Sequence, residues 1–382
     1  MAGDMAVRKN GGRGPSIHDV ARFAGVSVST VSRYLNERDR VSTDRQERIA
    51  NAISKLNYHP SAVAQAFSRG TMRSVAVLVS SLRLYGPMLT VAGVESQAAR
   101  AGYSVSILTL EDVMASGSDA RESGPLGAAG SGSLAFPLDA SGSSLATRIS
   151  AQSPVGVILV EYDRAGQDAR RLVPEQMPCV SLRGDRDETG RRQVSLASYQ
   201  GGKAVTEHLL GLGHRTVYHV SVPAREAGAG RLDGWRAALA EHRAFAPEPL
   251  EATWDPMSGY EMGRRLAEVE DCTAVFVGND EIAMGVIAGL SAAGKRVPED
   301  VSVAGLDDHP LGRVCMPPLT TYRLRFEDAG AVAFDALVAG RDAGVGAVAG
   351  AAAGIADPAD GVSNVIELPG ELVVRGSTAP LR

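Results

Sequence analysis

From Arg73 onward, short runs of apolar and largely β-branched residues alternate with stretches of helical period, and this alternation constrains the chain to an α/β architecture. Val75–Val79, Ser104–Leu108, Val155–Val160, Val217–Val220, Ala274–Val277 and Val301–Ala304 read as buried strands. Leu89–Ala101, Gly201–Leu212 and Asp280–Ala293 read as amphipathic helices between them. Strands that alternate with helices predict open, mostly parallel sheets covered on both faces. Six or more such units exceed one small domain, so two sub-domains with a cleft between them are expected. In open α/β sheets, ligands bind beyond the carboxyl ends of the strands.

The first 73 residues break this pattern and differ in charge. They hold 12 Lys+Arg against 6 Asp+Glu, or +6, whereas the remaining 309 residues hold 27 against 38, or −11. The overall −5 therefore joins a basic module to an acidic body. Such asymmetry suits a module that meets a polyanion, with a disordered basic tail as the alternative. The pattern inside the segment favours a folded module. Met1–Gly14 lacks periodicity and reads as a flexible tail. Ser16, with Asp19 three residues later, is a capping-box-like start for a short helix Ile17–Ala24, and Gly25 can end it in the left-handed region. Ser27 offers a second N-cap before Val28–Leu35. Ser42 caps a third helix, in which Ile49, Ile53 and Leu56 share one face. Val20, Ala24, Val31 and Leu35 would complete a small core. Two short helices joined by a glycine-containing turn, in a basic segment, read as a helix-turn-helix. Its second helix would expose Val28, Ser29, Ser32 and Arg33. Arg33 can reach guanine O6 and N7 together, while Thr30 and Ser32 suit either phosphate or the helix backbone.

Other chemistries find little support. Three widely spaced cysteines (Cys179, Cys272, Cys315) form no CxxC, which argues against a disulfide framework or a cysteine-rich zinc site and for a reducing compartment. His208 and His214, six apart, make a poor metal pair. No apolar run reaches eighteen residues, and the polar, glycine-rich start is not a secretory signal, so a cytoplasmic protein without membrane contact is expected. No GxSxG, Walker sequence or post-strand GxGxxG is present, so neither an enzyme nor a cofactor or metal is expected.

The run Ile17-His18-Asp19-Val20-Ala21-Arg22-Phe23-Ala24-Gly25-Val26-Ser27-Val28-Ser29-Thr30-Val31-Ser32-Arg33-Tyr34-Leu35-Asn36, continued by Leu56-Asn57-Tyr58-His59-Pro60, resembles the headpiece of the lactose-repressor (LacI/GalR) family of transcription factors. Further matches span the body: Leu212-Gly213-His214-Arg215, Arg231-Leu232-Asp233-Gly234-Trp235, Gly278-Asn279-Asp280, Val297–Asp308 and Pro317–Thr321. Ser80-Ser81-Leu82 with Tyr85-Gly86-Pro87, and Trp254–Tyr260, are more similar to the lactose-responsive members than to purine-responsive ones.

The resemblance implies four parts. Residues 1–14 are a tail, 15–59 a small all-α helix-turn-helix headpiece, and 60–72 a hinge helix with linker. Residues 73–382 form a bilobal periplasmic-binding-protein-like core of two open parallel-sheet sub-domains. It also implies a homodimeric repressor of a carbohydrate-utilisation operon, bound to a double-stranded DNA operator and released by a sugar inducer, such as a galactoside or similar disaccharide. A corepressor-dependent regulator and a sugar-binding transport protein are the alternatives. No leucine heptad follows Arg375, so a dimer is expected rather than a tetramer.

By motif position the DNA-contacting residues are Ser27, Val28, Ser29, Thr30, Ser32, Arg33, Tyr58, Ala64 and Phe67. Phe67 stands where many relatives place a leucine wedge, and packing is its alternative role. Arg231 would be the fork for sugar hydroxyls, with Asn279, Asp307 and Asp163 as further partners. Trp254, Phe326, Leu84 and Pro87 would supply apolar walls. A buried Asp307 is expected to be charge-paired with Arg231, and Trp235 to be core. Ala115–Ser144, in which 20 of 30 residues are Gly, Ser or Ala, and Ala339–Val362 read as flexible insertions.

Overall fold

The computed structural model describes residues 15–36, 40–58, 73–110, 149, 153–185, 190–223, 230–342 and 364–381. The expected tail (1–14), the hinge and linker (60–72, with Ala64 and Phe67) and the insertion 115–144 lie outside the described residues. The chain divides into two compact units, 1–73 and 74–382.

The first unit holds three helices: α1 (Ile17–Ala24), α2 (Val28–Asn36) and α3 (Thr43–Leu56). The Asp19 carboxylate accepts from the Ser16 backbone N–H at 3.0 Å and from its hydroxyl at 2.6 Å, which fixes the start of α1. Gly25, at φ 64°, ends α1 and returns its N–H to the last turn. The Ser27 hydroxyl then accepts from Thr30 N–H at 3.2 Å and starts α2. Val20, Ala24, Val31, Val41, Ile49 and Ala52 form the core, and Leu35, Ile53 and Leu56 pack at its edge.

In the second unit the described strands form two six-stranded sheets, one per lobe. The first lobe contributes β1 (Ser74–Val79), α4 (Tyr85–Arg100), β2 (Ser104–Thr109), β3 (Val157–Glu161), α5 (Arg164–Ala169), β4 (Cys179–Arg183) and β5 (Gln193–Ser195). The second contributes α6 (Ser198–Gly211), β6 (Tyr218–Ser221), α7 (Arg231–Glu241), β7 (Leu250–Glu251), α8 (Pro256–Ala267), β8 (Ala274–Val277), α9 (Asp280–Ala292), β9 (Ser302–Leu306) and β10 (Thr320–Arg323). Helix α10 (Phe326–Asp342) returns to pack on α4 and the first sheet, and β11 (Val365–Glu367) joins that sheet while β12 (Glu371–Val373) joins the other. The strand orders are β11-β5-β4-β3-β1-β2 and β12-β10-β9-β8-β6-β7. All pairings are parallel except β10 with β12, which is antiparallel. Residues 339–342, expected in a flexible insertion, belong to the last turn of α10; the rest of that insertion from 343 on lies outside the described residues.

The chain therefore crosses between the lobes three times, at 195–198, 323–326 and 367–371. Helices pack closely where glycines face each other. A Cβ at Gly202 of α6 would lie 2.0 Å from the Arg231 carbonyl of α7, and one at Gly234 of α7 would lie 2.0 Å from the Tyr199 carbonyl of α6. Gly93 and Gly330 relate α4 to α10 in the same way. Trp235 is buried in the core, and its indole N–H donates to the Val217 carbonyl at 2.9 Å.

Candidate functional site

On the headpiece, α2 carries a polar surface at its start. Ser27, Ser29 and Arg33 are exposed, and Thr30 and Ser32 are half-buried. The Ser27 hydroxyl lies 2.8 Å from that of Ser29 and 2.7 Å from that of Thr30, so three hydroxyls cluster at the start of the helix. Val28 differs from expectation: it is half-buried and packs against the headpiece core, leaving only part of its side chain outward. Tyr58, beyond the left-handed Asn57 that ends α3, likewise leans on that core.

In the body, one cavity of about 510 Å³, counted to its open mouth, collects the carboxyl ends of strands from both sheets. Leu84 and Pro87 reach it from the start of α4 after β1, and Asp163 from the end of β3. Arg231 begins α7, Trp254 follows β7, and Asn279 follows β8. Asp307 follows β9, and Phe326 follows β10 at the start of α10. All eight residues that the motifs singled out thus line one space. Tyr85, Tyr162, Gly184, Ser198, Glu281 and Leu324 line it as well and were not foreseen. Several helices begin at this wall, and the side chains of Asp163 and Asn279 cap two of them.

The apolar wall depends on a glycine. A Cβ at Gly86 would approach the Phe326 ring to 2.7 Å, so only a bare backbone lets that ring lie where it does. Tyr85 meets Phe326 edge-on, with ring centroids 6.4 Å apart, and Tyr162 meets it at 5.6 Å. The Tyr162 hydroxyl shares a hydrogen bond with Thr90 at 2.9 Å, and burial holds its pKa well above the usual phenol range.

The polar groups are held from behind. Asn279 Oδ1 accepts from Ile282 N–H at 2.9 Å and caps α9, while its amide donates to Glu281 at 2.9 Å. Burial pushes the Glu281 pKa up. Asp163 Oδ1 caps α5 by accepting from Gly166 N–H at 2.8 Å, a structural duty alongside its place on the cavity wall.

Asp307 and Asp308 both have positive φ, 117° and 54°, a costly conformation for residues with side chains. The surrounding bonds enforce it. Asp307 N–H donates to the Tyr322 carbonyl at 2.8 Å, and the buried Asp308 carboxylate accepts from Arg313 at 2.9 Å, Arg323 at 2.7 Å and Arg375. His309 N–H donates to Asp280 at 2.7 Å, and Thr321 donates to the same carboxylate at 2.6 Å.

The expected Arg231–Asp307 ion pair does not form among the described residues. Arg231 instead donates to the Gly278 carbonyl, and Asp307 Oδ1, shielded from solvent, has no hydrogen-bond partner. Burial drives the Asp307 pKa well above the carboxylate range, opposed by the positive charge of Arg231. His214 is buried with Nδ1 3.0 Å from the Thr273 hydroxyl and Nε2 3.1 Å from that of Ser302.

Residues 16–61 match the model for bacterial regulatory proteins of the lacI family, and residues 206–378 match a periplasmic binding protein-like domain. The lactose operon repressor of Escherichia coli K12 is 30% identical over 327 residues, covering 85% of this chain and 84% of that protein. The HTH-type transcriptional repressor PurR of Haemophilus influenzae PittEE is 30% identical over 311 residues, covering 80% and 85%. A structure of the lac repressor dimer bound to operator and the anti-inducer ONPF superposes with a TM-score of 0.73 at 27% identity, covering 96% of this chain and all of that one. A complex of the transcriptional regulator CelR with cellobiose gives 0.61 at 25% identity, covering 95% and 99%. No helix among the described residues is long and apolar enough to cross a membrane.

Proposed function

The chain belongs to the lacI family of bacterial regulatory proteins, and from that premise we propose that it represses a carbohydrate-utilisation operon and leaves its operator when a neutral sugar occupies the inter-lobe cavity. As a DNA-binding transcriptional regulator it acts through the helix-turn-helix. Ser27, Ser29, Thr30, Ser32 and Tyr58 position the headpiece on the phosphates, Val28 offers an apolar edge, and Arg33 reads a base. Ala64 and Phe67, in the hinge segment, belong to the same reading. Two copies bind as a dimer to a two-fold operator.

The observation that carries the sugar reading is the make-up of the cavity. Aromatic walls at Trp254 and Phe326 suit the C–H face of a sugar ring, and Arg231, Asn279, Asp163 and Asp307 suit its hydroxyls. Arg231 is the single cationic side chain among the lining residues and already donates to the Gly278 carbonyl, so a neutral sugar suits the cavity better than a sugar phosphate or sugar acid. A galactoside or another β-linked disaccharide fits this chemistry, and the structurally similar CelR is known in complex with one such sugar, cellobiose.

Operator binding measured against rising concentrations of neutral sugars and of sugar phosphates tests the reading. Release from operator by a neutral sugar is the expected result. Tightening identifies corepression instead, and a response confined to sugar phosphates overturns the neutral-sugar assignment. Coupling of about 1–3 kcal/mol between the sites would appear as a roughly 5- to 150-fold change in operator affinity.

A further inference from the structure

We propose that the hydroxyl of Ser198 is a direct effector-binding group, at the place where the chain first crosses between the lobes. The inference rests on the cavity being the sugar site. Ser198 is the first residue of α6 and is only 2% exposed, yet its Oγ has no hydrogen-bond partner among the described residues. A hydroxyl removed from water without a partner is unfavourable, and a native fold keeps one where something else satisfies it. Among the described residues five buried side-chain atoms are in this condition, on Ser74, Gln167, Ser198, His219 and Asp307, and of these five residues only Ser198 and Asp307 line the cavity. Two unsatisfied polar atoms therefore belong to the wall of one space.

The local backbone keeps room beside Ser198. Its N–H donates to the Gly184 carbonyl at 2.9 Å, which ties the end of β4 in one lobe to the start of α6 in the other. Gly184 itself lines the cavity, and a Cβ there would stand 3.0 Å from Ser198 Oγ. The bare glycine thus keeps a side chain from crowding the buried hydroxyl. Asp307 offers an acceptor, and Ser198 can both donate and accept. That pair suits a polyol in which one hydroxyl donates to Asp307 Oδ1 and another exchanges a hydrogen bond with the serine. Neither Ser198 nor Gly184 belongs to the motif set, so this part of the wall would set which sugar is preferred.

Calorimetric titration of the full-length dimer with methyl β-galactoside, lactose and cellobiose tests the proposal, alongside operator binding without sugar. For a sugar that binds the natural protein, Ser198→Ala should weaken binding about tenfold, while the sugar-free melting temperature should not fall, because the change removes an unpaired buried hydroxyl, and operator affinity without sugar should hold. Gly184→Ala should weaken the same sugar by crowding the hydroxyl. The monodeoxy analogue lacking the contacted hydroxyl should bind Ser198→Ala and the natural protein equally. Binding by Ser198→Ala within twofold of the natural protein would overturn the proposal and leave the sugar reading intact. So would a loss that is the same for every monodeoxy analogue. If no sugar of the three, and no other neutral sugar, binds the natural protein, the sugar reading fails and this proposal falls with it.

Discussion

Replacing Gly202 by alanine tests whether the close contact of α6 with α7 sets the position of Arg231. The added Cβ would lie 2.0 Å from the Arg231 carbonyl oxygen and 2.7 Å from its Cα. Cβ contacts under 3.0 Å are essentially never observed, so the first turn of α7 must withdraw by about 1 Å. The opposing atoms are backbone, and no flexible side chain can yield instead. Overpacking of this kind costs about 1–3 kcal/mol, or about 2–10 °C of melting temperature for a core of this size. The withdrawal also carries Arg231 away from the Gly278 carbonyl. A displaced Arg231 that misses one charged hydrogen bond to the effector loses about 1.5–3 kcal/mol, which predicts at least a tenfold weaker effector. Gly211→Ala is the matched control in the same helix. That position is exposed at the helix end, has nothing within 4 Å of a new Cβ and needs no positive φ. It should be neutral or stabilising by up to about 1 kcal/mol. Thermal denaturation followed by circular dichroism, with effector titration, reads both. A Gly202→Ala protein that melts within a degree of the parent and binds effector unchanged would refute the reasoning.

Arg33→Ala should relax base preference at one operator position at a cost of about 1–3 kcal/mol with the fold intact; an equal loss on every DNA sequence would contradict base reading. Arg231→Ala should leave operator binding intact and abolish release by sugar, and a normal response would remove Arg231 from the effector site. Asp280 is pushed up to about 7 by burial, against 3.8 ordinarily. The folded chain there holds a proton that the unfolded chain has shed, so stability falls as pH rises from about 4 to about 7, at up to about 1.4 kcal/mol per pH unit. Asp280→Asn can accept from His309 N–H with its one oxygen and donate its amide to a reversed Thr321 hydroxyl, without charge, and should flatten this slope in urea denaturation, whereas an unchanged slope would show that Asp280 is already ionised.

The elements legible in the sequence are those with strong local signals. Helix α1 ends where Gly25 says it must, and β8 coincides with the apolar run Ala274–Val277. Strands β4, β5 and β10 were not foreseen because polar residues inside them are buried and hydrogen-bonded. Ser181 donates to Glu161 at 2.7 Å, and Thr321 donates to Asp280. Hydropathy cannot separate such residues from a loop. Eight cavity residues were legible through motifs spread over the whole body. Ser198 was not, because a serine at the start of a helix normally signals a cap. The Arg231–Asp307 pair failed for a related reason: opposite charge says nothing of a competing backbone carbonyl, and Arg231 found one.

Residues 364–381 supply an edge strand to each sheet, β11 beside β5 and β12 beside β10, and there Ser377 bonds to Val303 and Ala379 to Ser302. During synthesis, therefore, neither lobe gains its edge strand until residues 365–373 are made, after all the other described strands of both sheets. A message truncated before codon 364 would yield two unfinished sheets at once, each with a bare edge open to pairing with other chains. Such a product is expected to be cleared or to aggregate, and a partly working regulator is not expected from it.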